Sequence, residues 1–231
     1  MNEVHTRRTP RAGLAAAVVA APLLWLVAEL VSPALKAKSA AQLAVISAHP
    51  DRWYVYTLLL VIGTIVFVPA VLGVMRLVRD GSPRLAAIGG VLLGFGTIIA
   101  VGDAMTQLVT WQMVKGGADQ AQMAALLDRF DNAGGAGVLF GPGGLAFAVG
   151  AIVLTIAMVR THVVPLWAAL AFGIGMVVQL VGFTGSNRGV IAASAVILLA
   201  AAVPVARELM SDGGAPTASV PSRAVPSTVV S

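Results

Sequence analysis

Six long apolar runs, separated by short polar stretches, dominate this chain. A helix rising 1.5 Å per residue needs about 20 apolar residues to cross a hydrocarbon core of roughly 30 Å. The runs at 12–31, 54–78, 85–114, 134–159, 164–183 and 190–205 are built for that task. Within a bilayer the backbone must satisfy its own hydrogen bonds, so the runs predict helices and not open strands. The expected fold is therefore all-α, a polytopic membrane helix bundle with six transmembrane helices.

The polar stretches refine this picture. Residues 1–11 carry Arg7, Arg8 and Arg11. With Ser39-Ala40-Ala41 downstream they could begin a cleaved signal peptide. The run at 12–31 is longer than the roughly 7–15 apolar residues of such a peptide, which favours a retained span. Pro33 to Trp53 is a polar connection with a short helical pattern through Ala40 to Ser47. Trp53 and Tyr54 are expected at the level of an interfacial aromatic belt. Asp80-Gly81-Ser82-Pro83 reads as a tight turn. In the second longer loop, Lys115 to Asn132, the spacing of Met123, Leu126, Leu127 and Phe130 predicts a short amphipathic helix on the membrane surface. From Arg207 the chain turns to Ser, Pro, Ala and Val without periodicity, so 207–231 is expected to be a disordered tail.

Small residues suggest how the spans pack. Gly134, Gly137, Gly141, Gly144, Ala148, Ala151 and Thr155 share one face of the fourth run. In lipid, helices associate where small residues let their backbones approach. The fourth run is thus expected to be the central helix, packed through Gly137, Gly141 and Gly144. Pro142 near its start removes one backbone hydrogen bond and frees a carbonyl.

Polar residues inside the spans fall toward one side of the membrane. Glu29 lies roughly 25 Å from the inner end of the first span and Asp103 roughly 27 Å along the third. Gln179 is about two thirds of the way out along the fifth by the same rise. On the third span Gly89, Gly96, Ala100, Asp103, Gln107 and Thr110 share a face, and in the first span Pro22 and Trp25 lie beneath Glu29. A pocket lined by Glu29, Asp103, Gln107 and Gln179 is expected beside the break at 141–144, roofed by the two longer loops. Glu29 and Asp103 are its candidate acids, and Gln107, Gln179, Trp25 and Asn132 its candidate binding residues. Beside this stands a plainer reading, in which each acid reaches water or pairs with Lys36, Arg52 or Arg129. Asn132, followed by glycines, likewise reads as a helix cap beside its reading as part of a binding loop.

Composition and charge narrow the function classes. Of 231 residues, 58% are hydrophobic and 11% charged, against roughly 25% charged in an average soluble domain. A soluble core of this size could not hide so much apolar surface. The net charge of +5 sits in the short connections, where it sets orientation, so no nucleic-acid partner is expected. With the amino terminus inside, Arg7, Arg8, Arg11, Arg76, Arg79, Arg84, Arg160, Arg207 and Arg223 are cytoplasmic, while Lys36, Lys38, Arg52, Lys115, Arg129 and Arg188 are outside. The inner excess is concentrated in the shortest turns, where the positive-inside rule is most reliable. Both termini are then cytoplasmic in a bacterial plasma membrane, and the loops holding Asp51, Asp119, Asp128 and Asp131 face outward.

Other chemistries fail on inventory. With no cysteine there is no disulfide, thiolate catalysis or cysteine-ligated metal. His49 and Asp51 alone are half of a metal site, so no metal is expected. Gly141-Pro142-Gly143-Gly144 lacks the lysine of a phosphate loop. Ser186, Ser194 and Ser211 lack a histidine at a matching depth, because His49 falls outside and His5 and His162 inside. No cofactor is expected.

Two parts of the chain carry a resemblance. Ser39 to Arg79 is a polar outer loop running into a long span that ends in Arg76-x-x-Arg79. Leu126 to Val181 has a Leu-Leu-Asp loop, a glycine-rich span, a short basic turn and His162-Val163-Val164-Pro165-Leu166-Trp167. Together they resemble a bacterial six-helix integral membrane family catalogued as a domain of unknown function. The resemblance implies the architecture and no mechanism. The first functional reading is a non-enzymatic membrane or accessory subunit with an outward-facing polar pocket, whose partners are the lipid bilayer and a second copy or another membrane protein. Two alternatives stay open: a membrane-embedded enzyme acting on a lipid or isoprenoid with Glu29 or Asp103 as proton donor, and a small-solute or proton-coupled transporter.

Overall fold

The computed structural model describes residues 3–36, 38–132 and 136–211, with side chains from residue 11 onward. Gly134, the side chains of Arg7 and Arg8, and residues 212–231 with Arg223 lie outside that description. Among the described residues there are eight helices and no strand: α1 (Glu3–Val31), α2 (Ser39–Ala48), α3 (Pro50–Arg79), α4 (Pro83–Met113), α5 (Gln120–Asn132), α6 (Gly137–Thr161), α7 (Leu166–Thr184) and α8 (Arg188–Ser211). Six of them, α1 from Arg11 together with α3, α4, α6, α7 and α8, are long and apolar enough to cross a membrane. Only 33% to 50% of each span's most apolar stretch is buried within the protein. The remainder is an outward apolar surface, with Leu30, Val91, Ile98 and Leu145 among the most exposed side chains, and lipid is the solvent that suits it.

The helix ends follow local chemistry. Pro50 and Pro83 begin α3 and α4, where a missing amide is no loss. Gly116 and Gly117 adopt left-handed backbone just beyond α4 (φ 72° and 71°), which glycine does without strain. Asp119 caps α5 by accepting the amides of Ala121 at 2.9 Å and Gln122 at 3.3 Å. The carboxyl-terminal helix runs through Arg207 to Ser211, several residues into the stretch expected to be disordered.

The spans close a ring in chain order: α1 packs on α3, α3 on α4, α4 on α6, α6 on α7, α7 on α8, and α8 returns to α1. Six crossings bring both ends of the described chain to one end of the bundle, where the backbone at Gly73 lies against Leu14, Val18 and Leu209. We call this the terminal end. Trp25 of α1 meets Phe67 of the neighbouring α3 (ring centroids 5.0 Å apart), and across the ring Phe67 meets Phe147 of α6 (6.2 Å). At the opposite end α2 and α5 pack on each other and form a roof.

Two expectations about packing are corrected. Helix α6 is a member of the ring and not its centre; its main neighbours are α4 and α7, with a slighter contact to α3. Nor does it pack through Gly137 and Gly141, which are exposed; a Cβ at Gly141 would meet nothing within 4 Å. Its close face is instead Ala136, Gly143, Gly150 and Ala157, all buried and seven residues apart. Of these, Gly143 lies against Ile99 and Gly150 against Gly89 and Leu93 of α4. A Cβ at Gly96 would come within 2.6 Å of Phe147, and one at Gly150 would collide with the Leu93 amide nitrogen. Two helices meet here backbone to backbone, as glycine contacts in lipid allow.

Candidate functional site

Beneath the roof, the ring forms a cavity of about 450 Å³. Its floor is apolar and aromatic, from Trp25 of α1, Leu60 of α3, Ile99 of α4, Phe147 of α6 and Leu180 of α7. Trp25 is fixed there by donating its ring N–H to Thr64 Oγ1 at 3.3 Å. Phe147 reaches the floor because Gly96 brings α6 so close.

The walls are mixed. Trp53, 1% exposed, donates its ring N–H to the Gln107 carbonyl at 3.1 Å and packs against Tyr56 with centroids 5.2 Å apart. The same carbonyl accepts the Thr110 hydroxyl at 2.8 Å, so α4 is pinned to α3 at the level of Gln107. Thr106 donates to the Asp103 carbonyl at 2.6 Å. The side chains of Asp103 and Gln107 are left facing the cavity. On the far wall Gln179, 3% exposed, accepts the Ser194 hydroxyl through Oε1.

The roof is polar. Ser39 of α2 donates its hydroxyl to Asp128 of α5, and Gln120 donates to Ser47 at 3.2 Å; these bonds tie the roof helices together. Lys36, Ser39, Gln42, Leu127 and Asp131 line the cavity from this side. Burial and the neighbouring Asp128 push the Asp131 carboxyl above the usual aspartate range. Asp131 is also close enough to Asp103 for their charges to interact.

Of the residues singled out from sequence, Trp25, Asp103, Gln107, Gln179 and Gly144 line this one cavity. Glu29 does not. It is 1% exposed, and neither carboxylate oxygen has a hydrogen-bond partner. Tyr56, which lines the cavity, is near enough to both Glu29 and Asp103 to feel each charge. Glu29 also lacks the ion pair expected for it: among the described residues the sole contact of that kind is Arg79 with Asp80, 3.9 Å apart and solvent-exposed. Asn132 ends α5, is exposed, and donates to the Asp128 carbonyl at 2.8 Å in its last turn; the N-cap position of α6 is Ala136, so Asn132 does not cap α6. Pro142 is exposed, and the carbonyl its ring leaves free, that of Val138, belongs to the first turn of α6.

Sequence reasoning missed five of the lining residues: Trp53, Tyr56, Leu60, Gln42 and Asp131. Trp53 was expected in an interfacial belt but is a cavity wall; its neighbour Tyr54 is the exposed partner, stacked on Trp111 at 4.7 Å. Trp53, Tyr56 and Leu60 recur at helical spacing, a signal that was available. Gln42 and Asp131 carried no such signal, since they reach the cavity only because the roof folds over it. Among the described residues no group of three or more His, Asp, Glu or Cys side chains is placed to hold a metal ion. No protein-family model matches the chain, and neither a curated protein nor a solved structure does, so the cavity's own geometry is the guide to its chemistry.

Proposed function

We propose that this chain is a non-enzymatic integral protein of the bacterial plasma membrane, with both termini cytoplasmic, whose roofed cavity holds a small amphiphilic molecule on the outer side. The cavity itself carries this reading. At about 450 Å³ it falls within the range of roughly 300–1,000 Å³ typical of small-molecule sites, and like them it has an apolar body with a few convergent polar groups. An apolar floor at membrane depth under a polar roof suits a molecule that has both characters. The orientation is supported by the arginines of the terminal end, Arg76, Arg79, Arg84 and Arg160, crowded into short turns. Resemblance to the six-helix family belongs to the same proposal.

A second reading has one observation in its favour. Asp103 lines the cavity and Glu29 does not, so an enzyme or carrier using an intramembrane acid would use Asp103. The test is to purify the full chain with its native lipids and identify small molecules that accompany it by mass spectrometry. Binding predicts an amphiphile lost from Gly144→Trp, which fills the cavity, and retained by Glu29→Gln. The same small molecules on wild type and Gly144→Trp would refute it. Conversion of the amphiphile by wild type but not by Asp103→Asn would favour the second reading.

A further inference from the structure

The geometry points to a lipophilic ammonium ion, with an ether or hydroxyl oxygen close to its charged head, as the occupant of this cavity. The inference rests on the cavity being a binding site and adds the charge and shape of what binds. Charge is the first argument. Asp103 and Asp131 line the cavity, and neither carboxylate accepts a hydrogen bond from the described residues. Several nearby cations bond neutral groups and not these carboxylates. Arg52 donates to the Val31 carbonyl at 3.0 Å, Arg188 to the Glu29 carbonyl at 2.6 Å, and Arg129 to that of Ala125 at 3.3 Å. Lys115 sits over the Trp111 ring, 4.2 Å from its centroid. Lys36 does line the cavity, which leaves two carboxylates facing one ammonium, with Asp128 one helical turn from Asp131. The carboxylates lining the cavity outnumber its one lining ammonium, so a cation is favoured over an anion there.

Gln42 is the independent observation. Its Oε1 accepts the Lys36 amide at 2.7 Å, which fixes the other end of the amide as the donor. That Nε2 is buried without a partner, on a residue 9% exposed that lines the cavity. A buried unmet donor is a cost that an acceptor on the ligand removes. The aromatic walls complete the match: Trp53, Tyr56, Phe140 and Phe147 line the same space, and such rings attract organic cations over their faces. The volume suits a drug-sized molecule such as one ring system with a short chain.

The test uses the full chain in nanodiscs of zwitterionic lipid and three probes of one shape: naphthyloxyethylammonium, naphthyloxyethanol and naphthyloxyacetate. Equilibrium dialysis against empty discs should give saturable binding of the ammonium, binding of the alcohol weaker by about tenfold or more, and none of the carboxylate, since charge-assisted hydrogen bonds are the strong ones. Asp103→Asn should lower ammonium affinity by about tenfold and leave the alcohol unchanged. Gln42→Leu should weaken both probes that remain bound. Asp131→Asn is a second route to the charge test if Asp103→Asn does not fold, and Asp80→Asn at the terminal end should change nothing. Equal binding of all three probes, removed by Gly144→Trp, would overturn the ammonium inference while sparing the cavity. So would an ammonium affinity unmoved by either aspartate change. Absence of any saturable binding, or binding unaffected by Gly144→Trp, would overturn the cavity reading itself.

Discussion

Gly150 sits so close to α4 that a side chain there would strike the backbone of Leu93 and Gly89. Because backbone cannot rotate aside as a side chain can, Gly150→Ala should destabilise the protein by about 1–3 kcal/mol, the range of overpacking in a tight core. Gly141 faces open space, and Gly141→Ala should be neutral or stabilising by up to about 1 kcal/mol through helix propensity. Thermal unfolding of both variants in one detergent decides it; equal effects would contradict the observed packing face. The contrast also explains what was illegible in α6. Small residues occupy several of its faces, so its own pattern fits more than one stripe. Which stripe packs is settled by Gly89 and Gly96 on the partner helix. At the roof, Asp131 yields a pH prediction. Its carboxyl titrates higher in the folded protein than in the unfolded chain, for reasons of burial and the Asp128 charge. The folded state therefore holds the extra proton, and that contribution is complete below about 3.9, the ordinary aspartate value. It is lost as pH rises through the raised value. Asp131→Asn should match wild type at the acidic limit and exceed it at neutral pH, read as slower hydrogen exchange in α5.

At the scale of elements, the carboxyl end of α1 shows how the ring is fastened. The last carbonyls of any helix lack partners within it, and here two arginines from other helices supply them. Arg52 of α3 donates to Val31, and Arg188 of α8 donates to Glu29 and to Leu30, the latter at 3.1 Å. Cations at a helix carboxyl end also complement its dipole. Arg188→Ala should cost about 1.5–3 kcal/mol at most, reduced by partial exposure, and Arg188→Lys should restore only part because the guanidinium fork makes two directed bonds. The unfolding temperature, together with amide exchange in the last turn of α1, measures both. Sequence alone assigned Arg188 to orientation, and Arg52 to orientation or pairing with an acid, since a bond between residues 159 positions apart leaves no local mark. The helices themselves were legible because apolar length and helical spacing are local. Even α2 and α5 could be read from a few residues each, but not their meeting over the cavity.

For the whole molecule, the direction the bundle faces decides from which side the cavity is reached. The terminal end carries arginine in its short turns, and the positive-inside rule sends that end to the cytoplasm. The roofed end also carries lysines and arginines, among them Arg52, Arg129, Arg188 and Lys115, so the basic excess at the terminal end is modest. The chain has no cysteine, which allows a single introduced thiol to report sidedness against a silent background. Ala118→Cys, in the exposed connection before α5, should react with an impermeant maleimide on intact cells. Asp80→Cys should react only after lysis; its side chain is 94% exposed at the terminal end, and removing an acid there does not weaken the basic bias. The reversed pattern would turn the roof toward the cytoplasm. The cavity would then draw its occupant from the cytosol or inner leaflet, with the same residues lining it and the opposite physiological direction.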